Sequence, residues 1–167
     1  TLSRAQLQAA YSSQVLAEQS FDAELATLPR RAPVAVSPRS TLREGLARMQ
    51  ERRVGSVMVV DDDGAALGIL TRHDPLDRIA LHQPPLDIGR VAIVEVMTAP
   101  VHTIDIGARV HDAAILMSRF GIRHVPITEQ GRVVSIISER DLFALQRLSL
   151  KGLSASLRHA PDVDAVL

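Results

Sequence analysis

Two stretches of this chain place apolar residues at i, i+4 and i+7: Leu42, Leu46 and Met49 in one, Val110, Ala114 and Met117 in the other. That spacing puts three side chains on one face of a helix. Each stretch is followed by an apolar run that reads as a strand, over residues 57–60 or 125–128. Polar residues ending in a glycine come next, at 61–64 or 129–131, and predict a hairpin turn. A second strand at 67–70 or 133–137, and a helix starting near Thr71 or Ser138, complete each unit.

The two units are copies. Met49 stands 68 positions before Met117, as Val57 does before Val125. After a one-residue deletion in the turn, Gly64 meets Gly131, Ile69 meets Ile136 and Asp74 meets Asp141. The period is longer than the roughly 20–50 residues of solenoid repeats, so two copies of one small α/β unit are expected, with two related sites.

Around the copies, residues 2–28 lack Gly and Pro and predict a helix stopped by Pro29 and Pro33. The linker at 29–38 holds a short apolar stretch, 34–36, that fits a first strand. Residues 81–88 connect the copies, 91–97 predict a short helix, and a Ser- and Leu-rich tail begins at 149. The expected division is an N-terminal helix and linker at 1–30, repeat one at 31–82, repeat two at 91–148 and a tail at 149–167. The expected fold is α/β (α+β): two small sheets flanked by helices and related by a pseudo-twofold, with an added N-terminal helix.

Composition narrows the function. Hydrophobic residues make up 46% of the 167, but aromatics only 2%, so the core is aliphatic and offers few platforms for stacking bases. The 19 basic and 19 acidic residues cancel, against the basic footprint that non-specific nucleic-acid binding needs. Without cysteine there is neither a disulfide nor a thiolate metal site. No apolar run nears the roughly 18 residues of a spanning helix, and no signal peptide opens the chain, so a cytoplasmic module without membrane contact is expected. The start at Thr1 rather than Met suggests a segment of a longer protein.

In copy two, Val96-Met97-Thr98 with Pro100-Val101, Asp112-Ala113-Ala114, Gly121-Ile122-Arg123-His124-Val125-Pro126 and Ser138-Glu139-Arg140-Asp141-Leu142 together resemble a CBS-domain repeat. Copy one is similar but degraded: Thr71-Arg72-His73-Asp74 is kept, while Met58 stands where copy two has Pro126. The likeness covers about residues 32–147 and identifies a tandem CBS pair, or Bateman module. The whole chain also looks like the middle of bacterial signalling proteins in which such a pair lies between a cyclic-nucleotide-binding domain and a nucleotidyltransferase-like domain.

The resemblance implies that Asp141, and Asp74 in copy one, hold the ribose hydroxyls of an adenine nucleotide, while Ser138 or Thr71 bonds ribose or phosphate. It sets the adenine against the Gly121–Pro126 segment, with backbone groups of Ile122 and His124 reading the base edge and Pro126 lining a face. Arg123, His124 and Arg140 are the phosphate candidates. Thr103, His73, Ser56 and Met58 complete the implied set. A plainer reading stands beside it: Ser138 and Thr71 as helix N-caps, each with a carboxylate three residues on, and Gly121 as a helix stop before an edge strand carrying Pro126. Pro75 directly after Asp74 should distort the first turn in copy one, which ranks that site below copy two.

No histidine pair has helix-face metal spacing, and no nucleophile elbow, Walker loop or Rossmann fingerprint occurs, so neither a metal nor enzymatic chemistry is expected. The turn acids Asp61, Asp62 and Asp63 read as solvated. The expectation is a regulatory, signal-transducing homodimer that needs no cofactor. It senses AMP, ADP or ATP, or a related adenosyl ligand, and controls an attached or partner domain. The alternative is a dimerisation module that binds no ligand.

Overall fold

The computed structural model describes residues 21–74 and 85–147. Most of the expected N-terminal helix, the expected distortion at Pro75 and the tail from 149 lie outside the described residues. Each copy forms a three-stranded sheet. In copy one, β1 (Ala35–Val36) runs parallel to β2 (Ser56–Val60), which pairs antiparallel with β3 (Ala66–Thr71). In copy two, β4 (Ile104–Asp105), β5 (His124–Glu129) and β6 (Arg132–Ser138) repeat that order. Helix α1 (Leu42–Arg52) precedes β2, the short helix α2 (Ile93–Val96) precedes β4, and α3 (Val110–Phe120) precedes β5. Helix α4 follows β6 over residues 139–147.

The predicted elements form close to where the pattern puts them, for local reasons. Thr41 caps α1: its hydroxyl accepts from the Glu44 N–H at 3.3 Å, and the Glu44 carboxylate accepts from the Thr41 N–H at 2.8 Å. In α3 that place is held by Arg109, and only the return bond remains, from the Arg109 N–H to Asp112 at 2.9 Å. Both helices stop on a left-handed residue. Copy two uses Gly121 at φ 62°, copy one Arg53 at φ 52°, a conformation that strains any residue with a Cβ. Gly64 and Gly131 supply the positive φ of the two hairpin turns.

Each copy has its own aliphatic core, and each core borrows from the segment ahead of the other copy. Leu42, Met49, Val57, Val59 and Leu70 of copy one close around Ile93 and Val96. Val110, Ala113, Met117, Val125, Ile127 and Ile137 of copy two close around Leu25. Leu25 and Ile93 are themselves 68 residues apart, so the exchange is symmetric. Bridges flank both insertions, Glu24 with Arg109 and Thr41 with Ala92. Burying an Ile or Leu contributes roughly 1.5–3 kcal/mol, which gives each swapped segment reason to stay. Gly45 exists for this exchange, because a Cβ there would stand 2.7 Å from the Ile93 side chain.

Three expectations need correction. The N-terminal helix does not run to residue 28: helical structure ends at Asp22, and Leu25–Thr27 form a separate 3-10 turn that inserts Leu25 into copy two. In α3 the residue buried most deeply between Val110 and Met117 is Ala113, while Ala114 is only partly buried. Pro126 sits on the central strand, fully buried, not at an edge. Its copy-one counterpart explains how a proline fits there. Met58 donates its N–H to the Val34 carbonyl at 2.8 Å. Pro126 has no such N–H, and the β4–β5 ladder starts one residue later, at Ile104 with Ile127.

Candidate functional site

Where the chain crosses from copy one to copy two, it is tied to β3 by two backbone bonds. Ile69 donates to the Thr98 carbonyl at 3.0 Å and Thr98 to the Ile69 carbonyl at 2.8 Å. It then passes through Pro100, Val101 and His102 before entering β4. This crossing, the end of β3 and the turn into β5 enclose a cavity of about 310 Å³. That size is at the lower end of the range for small-molecule sites. Its walls carry Ile69, Thr71, His73 and Asp74 from copy one, Thr98, Pro100, Val101 and His102 from the crossing, and Gly121 through His124 from copy two.

The carboxylate of Asp74 divides its two oxygens. Oδ2 accepts the Thr71 N–H at 2.7 Å and the Thr71 hydroxyl at 2.9 Å, which closes the turn after β3. Oδ1 accepts the Thr98 hydroxyl at 3.1 Å. Asp141 repeats the first half, its Oδ2 accepting the Ser138 N–H and hydroxyl, both at 2.8 Å, while the Asp141 N–H reaches back to Ser138 Oγ at 3.4 Å. The return half of the capping box is therefore present in both copies, and the cap bond to the hydroxyl oxygen in copy two. It uses one oxygen of each carboxylate and leaves the second to face the neighbouring segment. For Asp141 that neighbour is Arg31, whose guanidinium lies 3.7 Å from Oδ1.

The lining that holds Asp74 also holds a cation, Arg123. Arg123 is exposed and paired loosely with Glu139 at 3.8 Å, a solvated bond that an anion could replace at little cost. His124 is half-buried. Loss of hydration on burial lowers its pKa below the ordinary 6.5. Asp141 opposes that shift, while Arg72, His73 and Arg123 add to it. Near neutral pH the ring is thus held largely uncharged. At the cavity wall His102 stacks on Phe120, ring centroids 3.8 Å apart and planes 17° from parallel.

The structure groups the implied residues across the copies, not within them. Gly121, Ile122, Arg123 and His124 share the cavity with Thr71, His73 and Asp74 of copy one, whereas Ser138 and Asp141 lie outside its lining. The copy-one motif, expected to rank second, is thus the one that lines this cavity. Arg140 lines a separate surface groove with Glu139, Phe143, Gln146 and Arg147. Thr103 is exposed and outside the lining. Ser56 and Met58 are buried in β2, and Pro126 in β5. The Ile122 N–H is already donated to the Met117 carbonyl at 3.0 Å, so only its carbonyl is available to read a base. Ile69, Thr98, Pro100, Val101 and His102 were absent from the implied site. The Val96-Met97-Thr98 run with Pro100-Val101, already part of the family resemblance, was the signal that could have found most of them. Among the described residues no cluster of His, Asp or Glu has the arrangement of a metal site, and no helix is long and apolar enough to cross a membrane.

A family model described as CBS domain matches residues 24–81 and again 93–147. The CBS domain-containing protein YhcV of Bacillus subtilis is 30% identical over 122 residues, 73% of this chain and 84% of that protein. An uncharacterized protein of Methanopyrus kandleri is 29% identical over 118 residues, and the match spans 59% of its length. Among solved structures, a CBS domain protein from Pyrobaculum aerophilum complexed with AMP is 26% identical, with a TM-score of 0.67, covering 80% of this chain and 99% of that one.

Proposed function

Because the chain belongs to the CBS-domain family, matched in two tandem copies, we propose that it is a regulatory module that binds an adenine nucleotide in the Asp74 cavity. The observation that carries this reading is the cavity itself. It brings a carboxylate oxygen and two threonine hydroxyls together with the Arg123 guanidinium and the His73 and His124 rings. A nucleotide offers the complementary groups. Its ribose hydroxyls donate to Asp74 Oδ1, displacing the Thr98 hydroxyl, and its phosphate meets the Arg123 guanidinium. The adenine amine donates to the Ile122 carbonyl, with Ile69, Pro100 and Val101 packed on the ring faces. The AMP complex of the Pyrobaculum relative supports this ligand class.

AMP, ADP or ATP is the preferred ligand, since an adenosyl ligand without phosphate leaves the Arg123 cation unused. The module uses the ligand to change how its copies, or two modules, sit together. That regulates an attached or partner domain only if the two arrangements bind the ligand unequally. The exposed Val94, Ile115, Phe120 and Phe143 side chains support pairing into a homodimer. The reading needs no catalytic residue and no resident cofactor.

Calorimetric titration with AMP, ADP, ATP and S-adenosylmethionine tests it. Saturable micromolar binding of a phosphate-bearing ligand, tighter than S-adenosylmethionine, is expected. If no ligand produces binding heat while the protein stays folded and dimeric, the ligand-free interaction module takes its place.

A further inference from the structure

Resting on the nucleotide reading above, we infer that an anionic ligand enters the Asp74 cavity together with a proton taken up by His124. His124 opens β5 opposite Ser138 and lines the cavity. Its ring also reaches across the boundary between copies. Nε2 lies 3.4 Å from where a Cβ on Gly55 would stand, and an Arg72 guanidinium nitrogen lies 3.6 Å from the same point. Gly55 has no side chain to fill this space, so the imidazole and the guanidinium share it.

The charged and titratable groups acting on the ring come from three elements. Arg72 and His73 follow β3, Arg123 precedes the ring on β5, and Asp141 lies at the start of α4. Asp141 is the one attractive partner among them, and its oxygens already serve Ser138 and Arg31. Burial and the cations therefore keep the ring neutral when the cavity holds only water. A phosphate brings up to two negative charges to the same wall. That reverses the local balance and makes the protonated ring the favoured form, with solvent supplying the proton. The copy-one counterparts of Arg123 and His124 are Gly55 and Ser56, so the mirrored cleft cannot do the same.

The linkage has a definite sign. Between the lowered pKa of the empty cavity and the raised pKa of the filled one, the complex holds more protons than the free protein. Affinity for a phosphate-bearing ligand therefore rises as pH falls through that window. Each unit by which the ligand raises the His124 pKa is about a tenfold gain in affinity. Adenosine, lacking phosphate, gains none. The ligand's own phosphate takes up a proton near pH 6, so the informative quantity is the difference between wild type and His124→Gln.

Calorimetry of AMP and adenosine between about pH 6.5 and 8, in buffers of different ionisation enthalpy, reads proton uptake directly. The expected result is uptake with AMP in the wild-type protein, reduced or absent in His124→Gln, and none with adenosine in either. Equal uptake by both proteins, or none in wild type, overturns the inference while AMP binding keeps the nucleotide reading intact. Absence of AMP binding removes both. Should His124→Gln fail to fold, the His124 Cε1–H NMR titration in wild type decides. A higher midpoint with AMP supports the coupling, and an unmoved midpoint overturns it.

Discussion

Asp74 and Asp141 sit in the same motif and their carboxylates make the same local bonds, yet they face different neighbours. Each gives Oδ2 to the N–H and hydroxyl of the Thr or Ser three residues before it. The other oxygen of Asp74 meets the neutral Thr98 hydroxyl at 3.1 Å, and that of Asp141 meets the Arg31 cation at 3.7 Å. The copy with the degraded motif thus contributes the carboxylate to the cavity that also holds the intact Gly-Ile-Arg-His run. The motif of one copy and the helix-to-strand run of the other meet in one cavity, together with the segment that crosses between the copies.

The comparison is sharpened most by exchanging the charges. Asp74→Asn removes a charged acceptor from the proposed ribose clamp and is expected to weaken AMP binding roughly ten- to a hundredfold, at about 1.5–3 kcal/mol per charged hydrogen bond. Asp141→Asn should change it by less than about threefold, a difference below 1 kcal/mol. Calorimetry on both variants checks this, and equal losses would make the two carboxylates equivalent.

Packing gives the next largest contrast. Met97 lies directly over Gly68, where a Cβ would fall on its sulfur, whereas the matching Ser135 is held by Arg31 through its hydroxyl, accepting at 3.2 Å and donating at 3.2 Å. Gly68→Val should destabilise the protein by about 1–3 kcal/mol through overpacking. Ser135→Ala should cost about 1 kcal/mol for the lost hydrogen bonds. Urea unfolding separates the two, and a neutral Gly68→Val would mean that Met97 does not hold the crossing segment on β3.

The helix ends differ in the opposite sense. Arg53→Gly relieves a left-handed residue in copy one and should stabilise by up to about 1 kcal/mol, while Gly121→Ala imposes the same strain in copy two and should cost about as much. Space is not the issue at Gly121, since nothing lies within 4 Å of its added Cβ. Thermal unfolding midpoints moving in opposite directions are the expected outcome.

The smallest effect is the pH dependence of stability that His124 brings. Its folded-state pKa lies below the ordinary 6.5, so the unfolded chain binds more protons in the interval between the two. Stability is fully retained above about pH 6.5 and is lost as pH falls through the lowered value. In His124→Gln this part of the acid slope should disappear, as measured by denaturant unfolding at a series of pH values.

The repeat made most of the fold legible. Leu42 with Met49 and Val110 with Met117 mark the two core faces, and Gly64 with Gly131 mark the two hairpins, because helix and strand periods are local properties. What lay beyond reach is non-local. Nothing in the order of residues shows that Leu25 belongs to the core of copy two and Ile93 to that of copy one, or that Asp74 shares a cavity with His124. A period reports which residues share a face of one element, and two copies of one unit can pair within or across. Pro126 failed for a related reason. Its burial on a central strand depends on a neighbouring strand that starts one residue late, which no propensity encodes.

Amide chemical-shift mapping during titration with AMP tests the central claim most directly, since it reports which cleft fills. Saturable shifts concentrated at Thr98, His102 and residues 121–124, with Thr71 and Asp74, are the predicted result. Shifts centred instead on Arg31, Val54 and Ser138 would place the ligand in the mirrored cleft and contradict the account.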